Sequence, residues 1–185
     1  VPTNIFDYVT IASAGNAIDF GDATFTGYFT GALASPTRGV IGGGAGTNDG
    51  DRKNIIQYIT IASTGNATDF GDLTANKSNP AGASNAVRGL FMGGGDGGSE
   101  NVIEYITIAT TGNAIDFGDT LGIATSGQAV ASSIMAVSPY YGSTFDQLNY
   151  VNIATTGNAI DFGDLATATN DGSGFATSNA HGGLQ

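Results

Sequence analysis

The sequence predicts an all-β chain made of four copies of one antiparallel unit, and three observations carry that prediction. The phrase Gly-Asn-Ala-x-Asp-Phe-Gly-Asp occurs four times, starting at Gly15, Gly65, Gly112 and Gly157, so successive copies lie 50, 47 and 45 residues apart. Each copy follows an apolar run with a tyrosine at the same offset, at Tyr8, Tyr58, Tyr105 and Tyr150. No segment carries apolar residues at helical spacing over three turns, so essentially no helix is expected. A period of this length marks arrays of small units that cannot bury their own apolar face and must lie against a neighbour.

The elements of one unit follow in order. In Val102–Ile108, Ile103, Tyr105 and Thr107 share one face while Val102, Glu104, Ile106 and Ile108 share the other. Both faces are largely apolar, which suits a sheet sandwiched between two neighbours rather than one facing water. Thr111-Gly112-Asn113 supplies turn chemistry for a short hairpin loop. The next strand is Ala114–Phe117, stopped by Gly118-Asp119. Beyond a variable loop come a small-residue strand, Ala83–Val87 in the second unit, and the strand Arg88-Gly-Leu-Phe-Met92 running into Gly93-Gly-Gly95. The unit is therefore three or four antiparallel strands, and the chain is one repeat domain over 1–185, with repeats at about 1–47, 48–95, 96–138 and 139–185.

The later units depart from the pattern. In the third, Ser133-Ile-Met-Ala-Val-Ser138 stands where Arg88-Gly-Leu-Phe-Met-Gly93 is expected, followed by Pro139-Tyr140-Tyr141. The fourth ends at Ser178–Gln185, which aligns with Ser84 onward. The chain begins at Val1 rather than Met, which reads as a processed or excised segment of a longer polypeptide.

The Arg-Gly-apolar strand ending in a glycine run, at Arg38–Gly44 and Arg88–Gly95, followed by an apolar strand with Tyr58 or Tyr105, resembles the kelch repeat of β-propellers. Phe70 and Phe117 stand where that repeat usually has tryptophan, and this chain has no Trp. The phrasing around the four copies is also similar to repeats of virion and tail-fibre proteins of marine bacteriophages. The resemblance implies a kelch-like propeller of four blades, closed where the N-terminal strands pair with Ala176–Leu184, since closure hides sheet edges. A fragment of a longer array is the alternative. Phe20, Phe70, Phe117 and Phe162 are then expected as plugs buried between blades, each with its tyrosine beside it.

Composition narrows the function classes. Only 11% of residues are charged, against roughly 25% in ordinary soluble domains, and Gly, Ser, Thr and Asn fill the difference. The net charge is −11 with only five Lys and Arg, which argues against nucleic acid or an anionic membrane as partner. Absence of cysteine removes disulfides and thiolate metal sites. No run approaches the 18 or more apolar residues of a membrane helix.

Chemical motifs are weak. Asp-Phe-Gly evokes the kinase magnesium triplet, but four copies without a His-Arg-Asp loop or a Val-Ala-Ile-Lys strand reject it. The aspartates read as acceptors for backbone N–H groups, with calcium between an Asp pair and a loop carbonyl as the alternative and no other cofactor expected. Asn48-Asp-Gly-Asp51 resembles a piece of a calcium loop, yet Arg52-Lys53 beside it repels a cation. Gly93-x-Gly95-x-x-Gly98 has dinucleotide spacing but leads into a strand rather than a helix. The sole histidine, His181, reads as solvated, and no nucleophile–base set is visible, so no enzyme is expected. Asp7, Glu104 and Asp146 vary between units and read as polar strand positions rather than a glycosidase pair.

Binding belongs on the loops that differ between units. Tyr28 and Phe29 in the first, and Tyr140 and Tyr141 in the third, are aromatics that the other units lack. Aromatic faces flanked by Asn, Thr and Asp suit stacking on sugar rings, and equally suit packing or an oligomer interface. The expected function is a non-enzymatic virion or tail-fibre module that displays loops for host-surface glycan recognition. A secreted lectin or adhesin, or a structural module that stacks into a filament, are the alternatives. Partners are other virion proteins, copies of itself or host glycans, and the location is the virion or the extracellular space.

Overall fold

A computed structural model describes residues 3–46, 50–95, 100–123, 128–140 and 146–167. Among them there are fourteen strands and no helix. A short pair comes first, β1 (Ile5–Tyr8) with β2 (Ile18–Asp22). Three four-stranded antiparallel meanders follow, of which the first is β3 (Gly31–Ala34), β4 (Arg38–Gly42), β5 (Ile55–Thr60) and β6 (Thr68–Asp72). The second is β7 (Ala81–Ser84), β8 (Arg88–Met92), β9 (Val102–Thr107) and β10 (Ile115–Asp119). The third is β11 (Val130–Ala131), β12 (Met135–Pro139), β13 (Gln147–Asn152) and β14 (Ile160–Asp164). No sheet closes into a barrel, and each full sheet straddles a repeat boundary drawn from the sequence. The Ala176–Leu184 segment expected to complete the first pair lies outside the described residues.

The four-strand unit follows from local chemistry. The first hairpin is fixed by a side chain at its start: the Ser35 hydroxyl, the Asn85 Oδ1 and the Ser132 hydroxyl each accept from the N–H three residues on, at Arg38, Arg88 and Met135. These caps also set the register of the third sheet. Met135, opposite Asn152, occupies the place that Arg88 takes opposite Thr107. The sequence alignment that put Ser133 there is corrected by two residues, because the loop-capping Ser132, like Asn85, precedes the strand by three.

Two local readings also change. Gly118-Asp119 does not stop the Phe117 strand; it continues it through a β-bulge, with Gly118 at φ 143°. The same bulge recurs at the other three copies, with the glycines at φ 145°, 145° and 129°. Gly112-Asn113 is not the hairpin turn either. The chain turns earlier, where Thr110 N–H donates to Thr107 O, and Gly-Asn-Ala is left to lie along the adjacent sheet.

Sheets pack face to face, and the core is the space between them. Between the first two full sheets lie Val40, Ile56, Phe70, Phe91, Ile106, Ile108 and Ala114. Between the second and third lie Leu90, Met92, Ile103, Phe117, Val151, Ile153 and Ala159. Residues of β9 thus enter the core on both sides, as the two apolar faces of that strand require. The small-residue strands β3 and β7 run so close that a Cβ on Gly82 would overlap the Ala32 backbone. Gly42 is required for a similar reason, since the Phe91 ring of the next sheet covers it.

Candidate functional site

The repeat motif is a junction. Phe70 O and Asp72 O on the edge of one sheet accept from Gly112 N–H (2.7 Å) and Ala114 N–H (2.8 Å) of the next unit. Asn113 Oδ1 accepts from Asp72 N–H at 3.1 Å. The same three bonds join Phe20-Gly-Asp22 to Gly65-Asn-Ala67, and Phe117-Gly-Asp119 to Gly157-Asn-Ala159. A Cβ on Gly71 or Gly118 would stand 2.5 Å from the backbone of the docked glycine, so this position requires glycine for space as well as for φ. One half of each motif is therefore a tooth and the other half the groove that receives the tooth of the following unit.

Around each junction stand the repeat aromatics. Tyr8–Phe20, Tyr58–Phe70, Tyr105–Phe117 and Tyr150–Phe162 are edge-to-face pairs with centroids 5.9–6.0 Å apart. Arg38 and Arg88 lie over Tyr58 and Tyr105 at 4.3 and 4.4 Å, and each reaches the next sheet, donating to Ile108 O and Ile153 O. Phe20, Phe70 and Phe117 are buried, but Phe162 is 52% exposed and Tyr8 39%. Burial of all four phenylalanines was expected, and Phe162 corrects it. Each buried ring has a following unit docked on its strand, and β14 has none among the described residues.

A second set of polar contacts crosses the first two junctions from the position before the tyrosine. Gln57 Oε1 accepts from Thr24 N–H and its hydroxyl. Glu104, fully buried, takes that place in the next sheet, accepting from Thr74 N–H (3.0 Å), the Thr74 hydroxyl (2.7 Å) and Lys77 Nζ (2.5 Å). Lys77 is itself fully buried, with Glu100 3.5 Å away. This pair was not foreseen, because one lysine in a polar loop reads as solvated. A signal was present in the carboxylate at the centre of an apolar strand, where a buried charge demands a partner. Glu104 is thereby committed to holding the junction, while Asp7 is exposed on β1. In the last sheet Asn149 holds the position but bonds through Nδ2 to Ser138 of its own sheet.

Of the four residues singled out for binding, Tyr28 and Phe29 come together. Their rings meet edge to face at 4.8 Å, and Tyr28 is held by reciprocal backbone bonds with Ala45. Phe29 is 56% exposed at φ 59°, a left-handed conformation costly for an aromatic residue. The equivalent residue of the next unit is Asn79, at φ 62°, a residue that tolerates it. The same loop borders a cleft of about 170 Å³ whose wall includes Asn4, Phe6, Phe25, Thr30, Ile41 and Gln57. At the next junction the buried Lys77–Glu104 pair stands at the repeat positions that Gly27 and Gln57 hold here.

Tyr140 stands at the end of the third sheet, where burial and then the Asp161 and Asp164 carboxylates raise its phenol above the ordinary value of 10.0. Among the described residues no ring contact joins Tyr140 to Tyr28 or Phe29. Tyr141, His181, Asn48 and the Gly98 end of the glycine motif lie outside the described residues. No group of three or more His, Asp or Glu arranged to hold a metal occurs among the described residues. No family model matches the chain, and the search of curated proteins gave no match.

Proposed function

We propose that this chain is a non-enzymatic scaffold module of a virion surface or tail fibre, presenting the Phe25–Thr30 loop for recognition of hydroxyl-rich surface ligands, glycans first among them. The observation that carries this reading is Phe29, an exposed ring held at a left-handed φ beside Tyr28, on the loop that borders a neutral cleft. Backbone strain of this kind concentrates at ligand-binding loops. The cleft pairs apolar surface from Phe6, Phe25 and Ile41 with hydroxyl and amide groups from Thr30, Asn4 and Gln57, the mixture that sugar rings take up. Buried polar groups elsewhere are committed to holding sheets together, as Glu104 and Lys77 are.

One stacked site binds weakly, so attachment would depend on many copies on one particle. The test is binding of a multivalent display of the chain to cells and to a glycan array, beside F29A and Y28A/Y140A displays. Loss with F29A supports the loop, equal binding by all three removes these aromatics from the site, and no binding by any favours a purely structural module.

A second, architectural reading is a closed four-blade propeller of kelch type. It is favoured by the two-stranded β1–β2 sheet, half the size of the others, and by the likeness of Ser178–Leu184 to Ser84–Leu90. Such a ring requires the Gly15 unit to dock on β14 of its own chain.

A further inference from the structure

We infer that the chain associates head to tail, the Gly15-Asn16-Ala17 tooth of one copy docking on the Phe162-Gly163-Asp164 edge of a second copy. Four motif copies supply four teeth and four grooves, and three of each are paired among the described residues. The tooth and groove left unpaired among the described residues are the same sequences as the paired ones, so their chemistry is already specified. Gly163 keeps its positive φ of 129° with nothing within 4 Å of a built Cβ, where Gly71 and Gly118 are covered by a docked glycine.

The apolar surface of both ends agrees. Ile11 is 98% exposed, while its counterparts inside filled junctions are 46% exposed at Ile61, beside the two-stranded sheet, and 1% and 0% at Ile108 and Ile153, beside full sheets. Ala17 is exposed where Ala114 and Ala159 are buried, and Phe162 is open where Phe117 is covered. Apolar side chains that are buried where full sheets meet, and open at both ends of the array, mark an interface. The two surfaces are different and complementary, so the contact is heterologous and propagates into an open chain of copies unless geometry closes it. A net charge of −11 per copy opposes association at low ionic strength, so the contact strengthens as salt screens it.

The chain lacks cysteine, which makes directed cross-linking clean. Ala14 precedes the tooth and Asp161 precedes Phe162, whose carbonyl would accept the Gly15 N–H, so these positions face each other across the proposed contact. A14C and D161C chains, each checked for native circular dichroism, are mixed at moderate salt with a short bismaleimide. A covalent heterodimer is expected, with at least a tenfold loss when the D161C partner also carries G163A. The A14C/D161C double variant is expected to give a ladder of oligomers. No heterodimer, or a double variant that closes only within the monomer, would overturn the inference, and the second result would establish the ring instead.

Discussion

Phe117 and Phe162 occupy the same place in two copies of one motif and differ in what covers them, so truncating each to alanine isolates the value of the junction. Phe117 is 3% exposed, packed between the second and third sheets and against the Tyr105 ring at 6.0 Å. Phe→Ala there loses the transfer free energy of a buried ring and leaves a cavity, at a cost of about 3–5 kcal/mol. Phe162 is 52% exposed, so about half of the transfer term is at stake, and a cavity open to water carries little further penalty. A fully buried aromatic side chain contributes roughly 1.5–3 kcal/mol by transfer alone, which puts Phe162→Ala at about 1 kcal/mol. The assay is equilibrium unfolding in urea, followed by circular dichroism, at a concentration where the chain is monomeric. Because arrays unfold unit by unit when their junctions weaken, the slope is compared as well as the midpoint. Similar costs for the two substitutions, or a cost below about 1 kcal/mol at Phe117, would refute the claim that the motif phenylalanine is a plug between sheets.

Two further outcomes follow. Glu104→Leu strands the buried Lys77 ammonium and is expected to cost about 3–5 kcal/mol, whereas Lys77→Met/Glu104→Gln, which reproduces the Gln57–Thr24 arrangement, recovers most of it; urea midpoints of the three proteins check this. The Tyr140 phenol is expected to titrate above 10 in the folded chain, by absorbance or NMR, and to fall toward the ordinary value in D161N/D164N. Its raised value means that the neutral form is favoured on folding. That small contribution is full below the unfolded pKa and is lost as pH rises through the folded one.

Much of the sheet structure was legible because its causes are local. Alternating apolar residues around Tyr105 set a strand buried on both faces. The Asn85 and Ser132 caps are not legible in the same way: Ala83–Val87 reads as one strand, yet the strand ends at Ser84 and the chain turns where Asn85 accepts from Arg88 N–H. The junction was not legible, because its signals imitate turn signals. Gly112-Asn113 reads as a hairpin turn in isolation, yet the glycine is there to approach the edge of another sheet and the asparagine to accept from Asp72. Gly118 reads as a strand terminator, yet its missing side chain makes room for Gly157. Both meanings depend on contacts some 40 residues away in sequence, which no local pattern encodes. The Phe29 loop was found by difference between repeats, whereas its left-handed backbone and the adjoining cleft emerge only once β1 lies beside the first full sheet. Lys77 was missed for the converse reason, since its loop is polar and its partner Glu104 belongs to the next unit.

The central claim is that the Gly-Asn-Ala segments at Gly65, Gly112 and Gly157 are each held by the sheet of the unit before them, and amide hydrogen exchange on the dilute, monomeric chain tests it most directly. The amides of Gly65, Ala67, Gly112, Ala114, Gly157 and Ala159 donate across junctions and should exchange slowly, while those of Gly15 and Ala17, in the same sequence but undocked, should exchange at the rate of an open loop. Equal rates in all four copies, fast or slow, would contradict the account.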